Sequence, residues 1–247
     1  MTHLVSPRVT AATARRVLAQ LRGDHRTVAL LLIVPSVLLV LVHQMFDSKP
    51  VFDRVALQLL GIFPFTMMFL ITSVAMLRER TTGTLERLLT TPMSKLDLLL
   101  GYGIAFALAA AAQAAVACAT AYWLLDLYTP GSPWLVVGIA IVSAVLGMAL
   151  GLLSSAFATS EFQAVQFMPA FVFPQLLLAG LLIPRDQMPE VLERISDFLP
   201  FTYAYEALAK VAADDIDARL WFDVAVVVGC IVLALVLGAL TLRRRTP

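Results

Sequence analysis

Residues 134–158 read WLVVGIAIVSAVLGMALGLLSSAFA, a run of 25 residues without a single charged side chain. A helix needs about 20 mostly apolar residues to cross a bilayer, and this run exceeds that length. Its residues do not alternate between apolar and polar, as the strands of a membrane β-barrel do. The stretch therefore predicts a membrane-spanning α-helix.

Five further apolar runs flank this one, which gives six predicted spans in a single transmembrane domain over residues 28–242. The spans cover about residues 28–46, 55–77, 98–125, 134–158, 164–183 and 222–242. Two such runs could form a hairpin of core helices in a soluble protein, but six in succession could not. We therefore predict an all-α integral membrane protein.

The composition of the whole chain supports the same class. Of the 247 residues, 60% are hydrophobic and 14% are charged, and the mean hydropathy is +0.87. Soluble domains typically have about 45–50% apolar and about 25% charged residues. The formal net charge of +1 excludes a chain-wide attraction to nucleic acid. The two cysteines, Cys118 and Cys230, both lie in apolar runs and cannot form a disulfide framework.

Residues 1–27 predict an amphipathic helix in the membrane interface. Ser6 suits the N-cap, Pro7 the first helical position and Gly23 the end of the helix. One face is apolar and contains Ala14, Val17, Leu18 and Leu21. Another face carries the arginines that repeat every seven residues, Arg8, Arg15 and Arg22. We expect such a helix to lie on anionic lipid, with a solvated cytoplasmic helix as the alternative. The segment lacks the apolar core of a signal peptide.

The placement of Lys and Arg predicts the orientation. With the N-terminus inside, inner segments hold twelve of the 18 basic residues and five acidic ones, and outer segments hold six basic and twelve acidic residues. By the positive-inside rule both termini are cytoplasmic, with residues 243–247 as a cytoplasmic tail. Arginines outnumber lysines fifteen to three and asparagine is absent, which indicates a GC-rich bacterium and hence its inner membrane.

The loop between the second and third predicted spans has the most ordered charge pattern. Residues 78–92 read RERTTGTLERLLTTP. The pattern predicts a short cytoplasmic helix that begins after Gly83, ends at Pro92 and has a leucine face. Ser94 then caps the third span, with Asp97 in capping-box position. A charged helix with a small leucine face suits docking into a groove on a partner protein, and an interfacial loop without a partner is the alternative.

This loop closely resembles the cytoplasmic signature of the ABC-2 type transporter permeases, which include daunorubicin-resistance-like drug exporters. A softer match lies after the fifth span, at Gly180, Pro184, Met188-Pro189, Leu199 to Tyr203 and Ala207-Leu208. The resemblance implies the family's fold, that of type V exporters. Residues 1–27 would then be the elbow helix, 78–92 the coupling helix that meets an ATPase, and 184–220 short re-entrant helices at the outer face. The residues that it assigns to coupling are Arg78, Glu79, Arg80, Gly83, Thr84, Leu85, Glu86, Arg87, Leu88, Leu89 and Pro92.

The segment 184–220 is too polar to span a bilayer, yet it contains apolar residues at helical spacing. These residues are Val191, Ile195 and Phe198 in its first half and Tyr205, Leu208 and Val211 in its second half. Pro189 and Pro200 would begin or interrupt short helices. The acidic cluster Asp214-Asp215-x-Asp217 reads as a solvated outer loop, with cation or substrate steering as the alternative.

The motifs that would make this chain an enzyme or a metal protein are absent from the sequence. It has no G-x-x-x-x-G-K-[ST] to hold ATP phosphates, no H-E-x-x-H zinc motif and no G-x-S-x-G nucleophile motif. We predict no catalytic residues, no metal and no cofactor in this chain. ATP and Mg²⁺ would have to be bound by a partner ATPase.

The predicted spans carry almost no charge, which disfavours an ion-coupled carrier. Two of them contain flexible methionines and aromatic residues that could line a path for varied apolar compounds. These path candidates are Phe63, Phe65, Met67, Met68, Phe69, Phe167, Met168, Phe171 and Phe173. Packing or lipid contact is the alternative for each of them. In the fourth span, Gly138, Gly147 and Gly151 are typical of close helix packing.

The sequence therefore predicts the membrane subunit of an ATP-driven exporter for a hydrophobic or amphipathic compound, such as a drug, an antibiotic or a lipid-linked molecule. Its expected partners are two copies of an ABC ATPase, a second permease that is identical or homologous, and membrane lipid, with no nucleic acid. The alternatives are an ion-coupled carrier or channel that works without an ATPase, and a permease-like subunit without transport.

Overall fold

The computed structural model describes residues 6–83 and 94–241, except for the side chain of Lys95. All regular structure within these ranges is helical. The longer helices are α1 Pro7–Gly23, α2 His25–Met45, α3 Lys49–Thr81, α4 Lys95–Ala119, α5 Pro133–Ser154, α6 Glu161–Leu176, α7 Glu190–Ser196, α8 Pro200–Ala212 and α9 Ala218–Thr241. Turns of π-helix follow α4 and α6 at Thr120–Leu124 and Leu177–Leu181, and a turn of 3₁₀-helix covers Arg185–Gln187.

Six helices of the described ranges are long and apolar enough to cross a membrane. They are α2, α3, α4 with its π-turn, α5, α6 with its π-turn, and α9. Successive members run in opposite directions, so the loops alternate between two ends of the bundle. We call the end with α1 and residues 78–83 the motif end, and the end with α7 and α8 the opposite end. The predicted all-helical fold with six spanning helices is confirmed.

Helix α3 is longer than the predicted second span, residues 55–77. It has 33 residues, from Lys49 to Thr81, and so measures about 50 Å, more than the hydrocarbon thickness of a bilayer. Both extensions are polar: Lys49 pairs with Asp53 at 3.2 Å at one end, and residues 78–80 are charged at the other. A hydropathy pattern detects the apolar part of such a helix and misses the polar turns that continue it.

Helices α3 and α5 form the centre of the bundle because glycines of α5 let the two backbones touch. A Cβ atom at Gly147 would lie 2.1 Å from the Phe65 carbonyl oxygen, and one at Gly151 would lie 2.4 Å from the Phe69 carbonyl oxygen. The Thr72 hydroxyl also donates a hydrogen bond to the Met148 carbonyl at 3.1 Å. Close packing at Gly147 and Gly151 is therefore confirmed. It is wrong for Gly138, whose Cβ position has no described atom within 4 Å.

At the opposite end, α8 packs into the bundle while α7 lies outside it. The predicted apolar face of α8 is buried, with Leu208 and Val211 fully inaccessible, and the Phe201 ring lies 4.6 Å from that of Phe65. On α7, by contrast, Val191 is 69% exposed. Arg185 joins the two helices: its guanidinium donates hydrogen bonds to Ser196 at 2.8 Å, to Asp197 and to Glu206.

Candidate functional site at the motif end

Three consecutive charged residues of the signature, Arg78, Glu79 and Arg80, occupy the end of α3. Successive side chains of an α-helix point about 100° apart, so adjacent residues face different neighbours. Each of the three contacts a different part of the molecule, as the following contacts show. The described part of the signature therefore connects the end of α3 to several other helices.

Arg78 binds Glu161, the first residue of α6, through two parallel hydrogen bonds. Its Nε donates to Oε1 at 2.6 Å and its Nη2 donates to Oε2 at 2.9 Å. This bidentate geometry is the strongest form of an arginine–carboxylate contact. The side chains are 58% and 50% exposed, so the pair fixes geometry more than it adds stability.

Glu79 lies next to Tyr102 of α4, whose hydroxyl accepts a hydrogen bond from Arg16 of α1. The Arg16 guanidinium also lies over the Tyr102 ring, 5.6 Å from its centroid. The Oε2 atom of Glu79 is buried and has no hydrogen-bond partner among the described residues. A buried carboxylate oxygen without a hydrogen-bond partner is costly.

Arg80 reaches the end of α9, where its Nη2 donates a hydrogen bond to the Thr241 hydroxyl at 3.3 Å. Its Nε is buried and has no hydrogen-bond partner in the part of the chain that the structure describes. Through Arg78, Glu79 and Arg80 together, the end of α3 is connected to α6, to α4 with α1, and to α9.

Helix α1 is fixed to the start of α4 by a carboxylate. Asp97 accepts hydrogen bonds from the Ser6 backbone N–H at 2.7 Å and from the Thr10 hydroxyl at 3.0 Å. Its other oxygen accepts from the backbone N–H and hydroxyl of Ser94, which confirms the predicted capping box. Nothing in the sequence indicates that Asp97 also holds α1, since the contact joins residues about 90 positions apart.

The apolar stripe of α1 faces protein. Ala14 and Val17 are buried against α4, and Leu18 and Leu21 pack on the same core. Gly101 permits this contact, because a Cβ atom there would lie 2.5 Å from Thr13. The heptad arginines Arg8, Arg15 and Arg22 are exposed on the outer face of α1.

A cavity of about 800 Å³ lies between α1, α2, α3, α4 and α6 at this end. Its apolar lining includes Val17, Leu21, Leu70, Ile71, Val74, Ala75, Phe162 and Val165. Its polar lining includes Gln20, Asp24, Thr27, Arg78, Glu79, Thr82, Tyr102 and Glu161. The hydroxyl and backbone N–H of Thr27 donate hydrogen bonds to Asp24 and keep the pKa of that carboxyl below its usual value. The cavity thus combines an apolar wall with a charged rim.

The remaining coupling candidates are only partly described. Gly83 has a φ of +72°, a conformation that glycine adopts readily, and it is the last described residue before the loop. Thr84, Leu85, Glu86, Arg87, Leu88, Leu89 and Pro92 lie outside the described residues, as does the predicted helix that contains them.

The path candidates are divided between the core and the surface. Phe65, Met68 and Phe69 are fully buried, because α3 presents them to α5 and α8. They therefore line no open surface in this structure. Four candidates are half-buried: Phe63, Met67, Phe167 and Met168. Phe171 and Phe173 are about half exposed on α6. None of the nine lines the cavity at the motif end.

Comparison with known proteins relates the chain to membrane transporters. A family model described as "ABC-2 type transporter" matches residues 7–212. The chain is 25% identical over 146 residues to a "Probable multidrug ABC transporter permease YbhR" of Escherichia coli, a region that covers 59% of this chain and 40% of that protein.

The names of two further relatives refer to functions other than multidrug transport. A "Linearmycin resistance permease protein LnrN" of Bacillus subtilis is 25% identical over 56% of this chain and 36% of its own length. "Nodulation protein J" of Rhizobium leguminosarum is 26% identical over 68% of this chain and 64% of its own length. The matched part of the chain thus spans less than half of the first two relatives and less than two thirds of the third.

Proposed function

Because the chain belongs to the ABC-2 type transporter family, a family of multi-pass membrane proteins, we propose that it is the membrane subunit of an ATP-driven exporter. Its six apolar helices would form half of the transmembrane part. ATP and Mg²⁺ would be bound by a separate ATPase at the motif end, which would lie in the cytoplasm together with both termini. The membrane would be the inner membrane of a bacterium.

The observation that carries this proposal is the set of contacts made by residues 78–80. A force applied to the loop after Gly83 would act on the end of α3, and from there on α6 through Arg78 and Glu161. It would also act on α4 and α1 through the contacts of Glu79 with Tyr102 and of Tyr102 with Arg16, and on α9 through Arg80. A loop connected in this way is suited to convert the movement of a docked motor into a movement of the spanning helices.

We expect two copies of the ATPase and a second permease, identical or homologous. Helices α2 and α6 are the least buried of the six spanning helices, and Leu30 and Leu41 on α2 and Phe162 and Phe173 on α6 are at least half exposed. Within the described part of a single copy, the path candidates Phe65, Met68 and Phe69 are buried in its own core and line no open surface. A second subunit against α2 and α6 would supply the other wall, and Phe171 and Phe173 would then face the path.

The proposed substrate is hydrophobic or amphipathic, in line with the multidrug and linearmycin-resistance names of two relatives. The test begins with the sensitivity of a deletion strain and its parent to a panel of hydrophobic and amphipathic toxic compounds. The compound with the largest difference is then offered to inside-out membrane vesicles. We expect accumulation that requires hydrolysable ATP and is lost with the loop substitution Leu88→Asp.

The alternative of an ion-coupled carrier predicts the reverse dependence in the same vesicles. Accumulation would then follow an imposed proton or sodium gradient without ATP and would be unaffected by Leu88→Asp. That result, or equal sensitivity of both strains to the whole panel, would contradict the proposal.

A further inference from the structure

The cavity at the motif end changes in polarity along its depth. On α3 its lining runs from Leu70 through Ile71 and Val74 to Arg78 and Glu79, a distance of about 12 Å along the helix axis. The wall contributed by α6 changes in the same direction over about 6 Å, from Val165 to Glu161. Such a cavity suits a molecule with an apolar body and one polar end.

The charges at the rim select the sign of that polar end. Arg78 is paired with Glu161, and the Arg16 guanidinium, which does not line the cavity, donates a hydrogen bond to the Tyr102 hydroxyl beside Glu79. Asp24 and Glu79 have no ion-pair partner within residues 6–83 and 94–241, and Oε2 of Glu79 also lacks a hydrogen-bond donor there. The described charged side chains that line the cavity are the carboxylates of Asp24, Glu79 and Glu161 and the guanidinium of Arg78, so negative charge is in excess there.

We propose that this cavity is a binding site for hydrophobic cations, with Glu79 as their counter-charge and Asp24 as a weaker second one. The apolar body would lie against α3 and α6, and the positive group would sit between Glu79 and Asp24. A cation there would give Oε2 of Glu79 a charged partner, whereas an apolar group at the same place would leave that oxygen without one. An anionic phospholipid headgroup is disfavoured because it would face the same two carboxylates.

This inference names a substrate class for the exporter and rests on the proposed function only in that respect, because binding to the cavity requires neither ATP nor an ATPase. The site is also separate from the path candidates, none of which lines it. A compound bound here would lie at the depth at which the apolar part of α3 gives way to its charged end.

The test measures binding of tetraphenylphosphonium, a permanent hydrophobic cation, to the full chain in nanodiscs of phosphatidylcholine, by equilibrium dialysis. The neutral comparator is triphenylphosphine oxide. We expect saturable binding of the cation, weakened about tenfold by Glu79→Gln, because a half-buried counter-charge is worth on the order of one such factor. Binding of the neutral compound should change little. Glu190→Gln is the matched control, because Glu190 is an exposed carboxylate at the opposite end.

Two further variants keep the result interpretable if Glu79→Gln folds poorly. Asp24→Asn retains a side-chain oxygen to cap α2 and should weaken cation binding by less than Glu79→Gln. Ala75→Trp fills the apolar wall and should weaken the cation and the neutral compound alike. The proposal is overturned if wild type shows no saturable binding of the cation, or if none of these three substitutions alters it. It is also overturned if the cavity retains phosphatidylglycerol that the cation cannot displace.

The outcomes for this site and for the exporter are separable. Saturable binding that depends on Glu79 would stand even if ATP drove no transport. Absence of binding would leave the docking of an ATPase at the loop untouched.

Discussion

Gly147 and Gly151 determine how closely the two central helices of the bundle approach. Their missing side chains place the α5 backbone directly on the carbonyl groups of Phe65 and Phe69. Backbone atoms cannot rotate out of the way as a flexible side chain can, so an added methyl group must push the helices apart. The same α5 sequence offers a control, since the position of Gly138 is open among the described residues.

We predict that Gly147→Ala lowers the free energy of unfolding by about 2 kcal/mol or more, because its Cβ would meet the Phe65 carbonyl oxygen. Gly138→Ala should be neutral or slightly stabilising, since alanine favours a helix. Thermal unfolding of the purified variants in one detergent measures both effects. Equal stabilities for the two variants would contradict the close α3–α5 contact.

The pair Arg78–Glu161 is predicted to matter for coupling and little for stability. Because both side chains are about half exposed, Arg78→Glu should change the free energy of unfolding by no more than about 1 kcal/mol. It should nevertheless reduce ATP-dependent accumulation in vesicles strongly, since α6 is then no longer joined to the end of α3. The double variant with Glu161→Arg should recover a large part of the lost transport. No recovery would show that the pair itself is not the connection.

At the scale of helices, α1 illustrates what periodicity predicts and what it misses. The repeat of Ala14, Val17, Leu18 and Leu21 predicts the helix and its apolar face correctly. The stripe itself is covered by α4. The placement of α1 on anionic lipid stays a prediction. A hydrophobic stripe contains no information on whether lipid or protein will cover it. Asp97, the carboxylate that holds the start of α1 against α4, is distant in sequence.

We predict that Asp97→Ala loosens α1. The Ser6 N–H and the Thr10 and Ser94 hydroxyls would lose a buried, charged acceptor, which we expect to cost about 2 kcal/mol. Hydrogen–deuterium exchange should then rise in residues 7–17 while the centre of α5 stays protected. Ile104→Ala, on the exposed face of α4, is the control and should leave α1 protected. Unchanged exchange in Asp97→Ala would mean that apolar packing alone holds α1.

Arg185 is predicted to hold α7 and α8 together at the opposite end. Burial lowers the pKa of Arg185, but hydrogen bonds and attraction from Glu206 and Asp197 outweigh this and raise it, so the side chain stays charged. Lysine cannot present three donors to Ser196, Asp197 and Glu206 in one plane. Arg185→Lys should therefore increase exchange in α7, while α8 stays protected by its buried face. Arg194→Lys, in an exposed pair within α7, should have no such effect. Equal exchange in the two variants would contradict a specific role of Arg185.

For the whole molecule, the sequence predicts the class and the number of spans because a bilayer imposes length and apolarity on every crossing. It does not predict which helix faces touch. Phe65, Met68 and Phe69 are as apolar as Phe171 and Phe173, yet the first three are buried and the other two are exposed. The contacts of residues 78–80 are also invisible in the sequence, since Tyr102, Glu161 and Thr241 lie on three separate helices. The sequence is sufficient to find the motif at residues 78–92. The contacts of residues 78–80 with other helices are seen only in the structure.

The central claim is that a separate ATPase docks on the loop after Gly83, and capture from native membranes tests it most directly. The tagged full chain is purified in mild detergent, and the sample is assayed for vanadate-sensitive ATP hydrolysis and for a polypeptide with Walker motifs by mass spectrometry. Val191→Asp, at an exposed position of the opposite end, is the control for Leu88→Asp. We predict that wild type and Val191→Asp capture the polypeptide together with the activity and that Leu88→Asp captures neither. A wild-type sample without an ATPase, or equal capture by Leu88→Asp, would contradict the claim.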